Sequence, residues 1–273
     1  MLKVLRIATL CLFAATVCVF AIFFIHEKKN TDTTYPEIKI VGDVLEVSID
    51  ATDKDLLKGV TASDGKDGDI TSEIVVESIS KFIENGVCKV TYAVSDSDKH
   101  VVKNSRIIHY KDYTPPKFTM NRALVFNVSE TVDIGGAIGA VDSIDGNISD
   151  KVVITATDYT TDTVGVFSVS VQATNSKGDI IYIDLPLHIE DTSVLAPVIE
   201  LSDYLIYVKK GEKPDFDKYV TGVTTLSGQT IEYDMIVSTD FDRNTPGVYS
   251  VHYYATNQLG YQSHSILTVV VEE

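Results

Sequence analysis

One stretch of this chain constrains its fold more than any other, because it occurs three times. Gly165-Val-Phe-Ser-Val-Ser-Val-Gln-Ala-Thr-Asn-Ser-Lys-Gly178 has a close copy in Gly247-Val-Tyr-Ser-Val-His-Tyr-Tyr-Ala-Thr-Asn-Gln-Leu-Gly260 and a degenerate one in Gly86-Val-Cys-Lys-Val-Thr-Tyr-Ala-Val-Ser-Asp-Ser-Asp-Lys99. The three leading glycines, Gly86, Gly165 and Gly247, recur at a nearly constant interval. Every second residue from each glycine is apolar: Cys88, Val90, Tyr92, Val94; Phe167, Val169, Val171, Ala173; Tyr249, Val251, Tyr253, Ala255. The residues between them are mostly polar, among them Ser168, Ser170, Gln172, Thr174, Ser250, His252 and Thr256. Side chains alternate faces along a strand, so a period of two marks a half-buried strand. Its return at a steady interval marks a tandem repeat.

Other elements recur in step. Asp67-Gly68-Asp69-Ile70-Thr71 precedes the first glycine, Asp145-Gly146-Asn147-Ile148-Ser149 the second, and Gly228-Gln229-Thr230-Ile231 takes that place in the third repeat. A β-rich segment follows each: Ile74-Val75-Val76, Val152-Val153-Ile154 and Met235-Ile236-Val237. After the key strand comes a turn and a last strand, at 101–110, 180–189 and 263–271. Prolines punctuate the ends, at Pro115-Pro116 and Pro197, where a residue without an N–H stiffens a junction. Several short strands with turn signals between them predict an all-β architecture of three tandem immunoglobulin-like β-sandwich domains. Their expected limits are 38–114, 115–195 and 196–273. The cysteine pair and tryptophan of antibody domains are absent, since the chain has no Trp.

These motifs resemble the bacterial Ig-like domain found in tandem in Gram-positive surface proteins and in a pesticidal crystal toxin. Asp64-Gly-Lys-Asp-Gly-Asp-Ile-Thr71 with Thr114-Pro115-Pro116 carries the likeness in the first repeat, and Asp142-Ser-Ile-Asp-Gly-Asn-Ile-Ser149 in the second. The third matches chiefly at Gly247-Val-Tyr-Ser-Val-His-Tyr-Tyr-Ala-Thr-Asn257 and lacks the acidic segment. The resemblance covers residues 40–273. It implies extracellular, stalk-like or adhesive modules and brings no catalytic residues.

Ahead of the repeats, Ile7 to Ile25 is an unbroken run without a charge. At about 1.5 Å per residue it spans roughly the hydrocarbon core of a bilayer. The run is longer than the core of a cleavable leader and ends without a small-residue site, the nearest being Val19-Phe20-Ala21. The expectation is one uncleaved transmembrane helix at 7–25, a short cytoplasmic segment at 1–6 and a polar stalk at 26–37. Flanking Lys and Arg tie at two each side, Lys3 and Arg6 against Lys28 and Lys29. The amino terminus and the acidity of the body tip the expected orientation to body outside.

Met1 to Asn30 hold those four cations against Glu27, a surplus of three, so the total of −16 leaves −19 for the rest. That charge excludes nucleic acid as a partner, since nucleic-acid binding needs a basic footprint. Cys88 is the single cysteine after the apolar run, so no disulfide forms within the body. A disulfide-free exported β-protein is bacterial in character, because small secreted eukaryotic domains usually rely on disulfides.

Candidate chemistry is sparse. Asp64, Asp67 and Asp69, with Asp142, Asp145 and Asn147 as their second copy, form oxygen-rich loops that suit calcium. The same residue types also hold turns, and the third repeat keeps the strand without the acids. Cys88 falls on the inward face, where a core thiol is expected. Ser78-Ile79-Ser80-Lys81 matches S-x-x-K without its companion motifs or a helix. The six histidines form no metal-binding motif or close pair, and His252 falls on the outward face of its strand. Tyr159, Tyr204, Tyr207, Tyr254 and Tyr261 are expected to pack rather than to stack on sugars. Asn127-Val-Ser and Asn147-Ile-Ser are sequons that matter only in a eukaryotic secretory host. The expectation is a non-enzymatic, single-pass cell-membrane protein with no cofactor other than calcium. It would serve as a spacer or adhesion module that meets a protein or glycan at the cell surface. A carbohydrate or cell-wall binding module, or an accessory chain of an exported enzyme or toxin, is the alternative.

Overall fold

The computed structural model describes residues 2–30, 33–128, 130–160 and 163–273. Thr31 and Asp32 of the expected stalk and Ser129 of the first sequon lie outside the described residues. Helix α1 runs Leu2–Asn30, and its segment Arg6–Ile25 is long and apolar enough to cross a membrane, with none of it buried. By compactness the chain falls in two units. The first comprises 51–80 and 87–110 with the residues up to Val47, and the second comprises 48–50, 81–86 and 111–273.

In the first unit the strands are β1 (Glu37–Ile40), β2 (Val44–Val47), β3 (Val60–Asp64), β4 (Gly68–Asp69), β5 (Val75–Ile79), β6 (Val87–Ser95) and β7 (Val101–Tyr110). One sheet has the order β1-β3-β4 and the other β2-β7-β6-β5. The opening strand therefore serves both sheets. β1 pairs antiparallel with β3, and β2, just beyond Gly42, pairs parallel with the last strand β7. Sheets paired this way are the immunoglobulin-type sandwich. The alternation read from the sequence is met: Cys88, Val90 and Tyr92 are fully buried between the sheets.

Tyr92 also shows how a polar tip is accommodated inside. Its Oη donates to Leu56 O at 2.7 Å and accepts from Arg106 Nε at 2.8 Å. Arg106, itself buried, donates further to Leu56 O and Lys58 O. Backbone carbonyls thus satisfy the donors of a buried guanidinium, as burial of a charge requires.

The second unit repeats the plan twice. Its strands are β8 (Lys117–Met120), β9 (Val125–Asn127), β10 (Ile138–Asp142), β11 (Gly146–Asn147), β12 (Val153–Thr157), β13 (Gly165–Thr174) and β14 (Ile180–Glu190). They are followed by β15 (Val198–Leu201), β16 (Leu205–Lys209), β17 (Val220–Thr224), β18 (Tyr233–Thr239), β19 (Gly247–Asn257) and β20 (Gln262–Glu272). The sheets are β11-β10-β8 with β12-β13-β14-β9, and β15-β17 with β16-β20-β19-β18. β9 pairs parallel with β14, and β16 with β20. Each sandwich closes on its own core, one around Phe126, Val169, Leu185 and Leu187, the other around Val251, Tyr253, Leu267 and Val269. Tyr253 Oη donates to Phe216 O at 2.8 Å, in the place where Tyr92 meets Leu56.

The turn before the key strand shows why glycine recurs there. Gly68, Gly146 and Gly228 have φ of +76°, +71° and +80°, a region costly for residues with a Cβ. The third repeat lost the acids of this turn and kept the glycine.

Candidate functional site

The acidic loops are the first place to look, because the sequence puts candidate calcium ligands there. Each carboxylate has an assignment within the fold. Asp64 Oδ1 accepts from Lys66 N and Asp67 N at 2.8 and 3.0 Å, and Asp142 Oδ1 accepts from Ile144 N and Asp145 N at 2.9 and 2.8 Å. Asp67 accepts from the N–H and hydroxyl of Ser97, and Asp145 from those of Ser176. Asp69 accepts from Thr71 N and Asn147 from Ser149 N. The first acid therefore holds its own turn, the second ties that turn to the one after the key strand, and the third shapes the entry to the next segment. The N–H groups of Asp67 and Lys66 hold the Asp64 carboxyl below the usual carboxylate range. Thr71 does the same for Asp69. Burial pushes Asp145 up, but bonds from Ser176 and Lys151 outweigh it and the net shift is down.

Most of the other sequence candidates resolve into packing, but Tyr261, expected to pack, is exposed. Cys88 is fully buried. Ser78 and Ile79 lie in β5, and Ser80 Oγ accepts from Lys89 N, so the S-x-x-K residues sit at a strand end and not at a helix start. Tyr159 and Tyr204 pack against the two cores of the second unit. Tyr207 Oη accepts from Phe118 N at 2.9 Å, and burial pushes its phenol up to about 12.

The histidines depart from expectation. His252 lies on the outward face of β19, as its period predicts, yet that face is covered. His252 Nδ1 stands 2.9 Å from His264 Nε2 on β20, and His264 Nδ1 stands 2.6 Å from Glu190 Oε1 at the end of β14. His188 Nδ1 is 3.9 Å from the same Glu190 oxygen. The ring of Tyr254 lies flat on that of His264, centroids 4.5 Å apart and planes 8° from parallel. Burial, followed by the nearby His264 and His252, pushes His188 down to about 4. Burial and His264 likewise lower His252. The bond from His264 lowers the Glu190 carboxyl against the opposing effect of burial. Among the described residues, His188, Glu190 and His264 are the one set of three His, Cys, Asp or Glu whose ligand atoms converge, all within 4.8 Å.

The sequence carried a partial signal for this cluster. The turn at Asn257–Gly260 fixes the hairpin register, pairing His252 with Ile266 and Tyr254 with His264. His252 and His264 are therefore diagonal neighbours on one face. The approach of β14 to that face carries no local signal.

Two clefts open in this unit. One, about 590 Å³, is bordered by Ser263, His264, Ser265, Arg122 and Asp191. The other, about 920 Å³, is lined by Val194, Leu195, Leu226, Ile231 and Leu259, with no aromatic ring among the described residues of its wall. Val194, Leu226 and Leu259 are 79%, 76% and 75% exposed there.

No protein-family model matches the chain. An uncharacterized 81.3 kDa protein of Acholeplasma phage L2 is 28% identical over 138 residues, which is 49% of this chain and 18% of that protein. Drosophila N-cadherin EC1-3 overlays 89% of this chain and 90% of its own at 16% identity and a TM-score of 0.34. The M60 catalytic domain with CBM51-1 and CBM51-2 domains from Clostridium perfringens ZmpB overlays 88% of this chain and 31% of its own, at 14% identity and a TM-score of 0.24. The fold assignment rests on the strand order given above.

Proposed function

We propose that the chain is a membrane-anchored, non-enzymatic array of Ig-like modules of the bacterial surface type, which holds an interaction surface away from the bilayer. The observation that carries this reading is the pairing of an exposed apolar helix, Arg6–Ile25, with a sandwich plan repeated along the body. The side chains most suggestive of chemistry in the repeated loops are engaged in holding turns. The helix anchors through residues 7–25, and the acidic body stays solvated outside.

The apolar cleft around Leu226 and Leu259 supports a protein contact over a glycan one. Exposed Leu and Val side chains gain by being covered, whereas carbohydrate surfaces are met by aromatic faces, which this wall lacks among its described residues. The test is made in cells expressing the full chain. Protease added outside should remove the body while the helix stays with the membrane fraction, and detergent should be needed to release the intact protein. Recovery of the chain in the medium, cut near Ala21, would overturn the anchor. Binding on a glycan array that is lost with Leu226→Ser and Leu259→Ser would overturn the protein-contact assignment.

A further inference from the structure

We propose that His188, Glu190 and His264 bind a divalent transition-metal ion of the zinc class, fastening strand β14 to strand β20. The inference does not depend on where the protein resides. Two imidazoles and a carboxylate form a nitrogen-rich donor set that suits zinc, nickel, cobalt or copper and not calcium or magnesium, which prefer oxygen. Three protein ligands with a fourth place open to solvent is a recurrent zinc arrangement. Of the three, His264 borders the cleft of about 590 Å³, and the Glu190 side chain is 29% exposed.

The geometry is close to what the ion needs. With metal–nitrogen and metal–oxygen bonds of about 2.0–2.2 Å, tetrahedral ligand atoms stand roughly 3.3 Å apart. The His264–Glu190 separation of 2.6 Å and the His188–Glu190 separation of 3.9 Å fall on either side of that value. The third edge, between His188 and His264, is no longer than 4.8 Å, so side-chain rotations must open one edge and close the wider ones. All three residues sit on strands, which hold them more rigidly than loops would.

The surroundings suit coordination as well. A metal on His264 Nδ1 leaves the ring proton on Nε2, and His252 Nδ1 stands 2.9 Å from it, ready to accept. His252 is then a positioning residue that fixes the tautomer of its neighbour, as outer partners of metal-bound histidines do. The Tyr254 ring, flat on His264, fixes the plane of the ligand.

The test uses the full chain in detergent micelles, stripped with a chelator and then titrated with Zn²⁺ by calorimetry and with Co²⁺ by visible absorption. One Zn²⁺ should bind per chain and raise Tm, and Co²⁺ should give the intense visible bands of a four-coordinate site. Glu190→Gln keeps shape and hydrogen bonding, so it tests the site without threatening the fold. Both it and His188→Ala should abolish the Co²⁺ bands. His252→Ala should weaken Zn²⁺ binding about 10–100-fold without abolishing it. If His188→Ala does not fold, Glu190→Gln alone decides. Absence of uptake by the wild-type chain would overturn the proposal. So would uptake that Glu190→Gln leaves unchanged, or uptake lost only on changing His100 or His109.

Discussion

Lys99 is the one non-glycine residue among those described with a positive φ, at +71°. It ends the first copy of the key strand's turn, where the other two copies have Gly178 at +84° and Gly260 at +83°. A Cβ in this left-handed region costs about 1–2 kcal/mol, partly offset by the greater freedom glycine has when unfolded. Lys99→Gly should therefore stabilise the first unit by about 0.5–1 kcal/mol, read as a shift in denaturant midpoint at constant slope; a loss of stability would count against this strain. Asp145 offers a second measurement. Its carboxylate accepts from the N–H and hydroxyl of Ser176 and from Lys151. Asp145→Ala should cost about 0.5–1.5 kcal/mol, the net worth of bonds whose exposed donors can turn to water. The cost should be the same in chelator and in millimolar Ca²⁺. A cost that disappears in chelator would mean that the loop holds calcium and not its own turn.

Elements differ in how much of them the sequence disclosed. The last strands expected at 101–110, 180–189 and 263–271 are found at Val101–Tyr110, Ile180–Glu190 and Gln262–Glu272. They were legible because alternation and turn residues are local. The parity of Cys88 and Val169 followed from the same rule. The short opening strands were harder, since Val44–Val47 and Val125–Asn127 are too brief to show a period. Only their pairing with the last strand of the repeat defines them. The histidine cluster was the least legible. His188 and His252 belong to different repeats, and both sit on strand faces that in one sandwich alone would be wet. What covers them is packing within the second unit, which a period of two does not encode. In the same way, the carbonyls that meet Arg106, those of Leu56 and Lys58, come from the short helix Asp53–Leu56 and the turn after it, far from Arg106 in sequence.

At the scale of the whole molecule, the parallel pairs β2–β7, β9–β14 and β16–β20 share one property. In each repeat a segment near its start is bonded side by side, and in the same direction, to its final strand. Tension applied at the two ends of a repeat pulls such strands past each other, so the bonds of the pair carry load together and do not open one by one. A chain built this way should resist stretching. Pulled singly in an atomic force microscope, the body should unfold in discrete steps at forces well above those that unzip a hairpin. Ile206→Pro removes the Ile206 N–H from the pair β16–β20 and should lower the force of one step. Steps of unchanged height would mean that these pairs do not bear the load. The resistance would come from a few short backbone ladders and not from the cores.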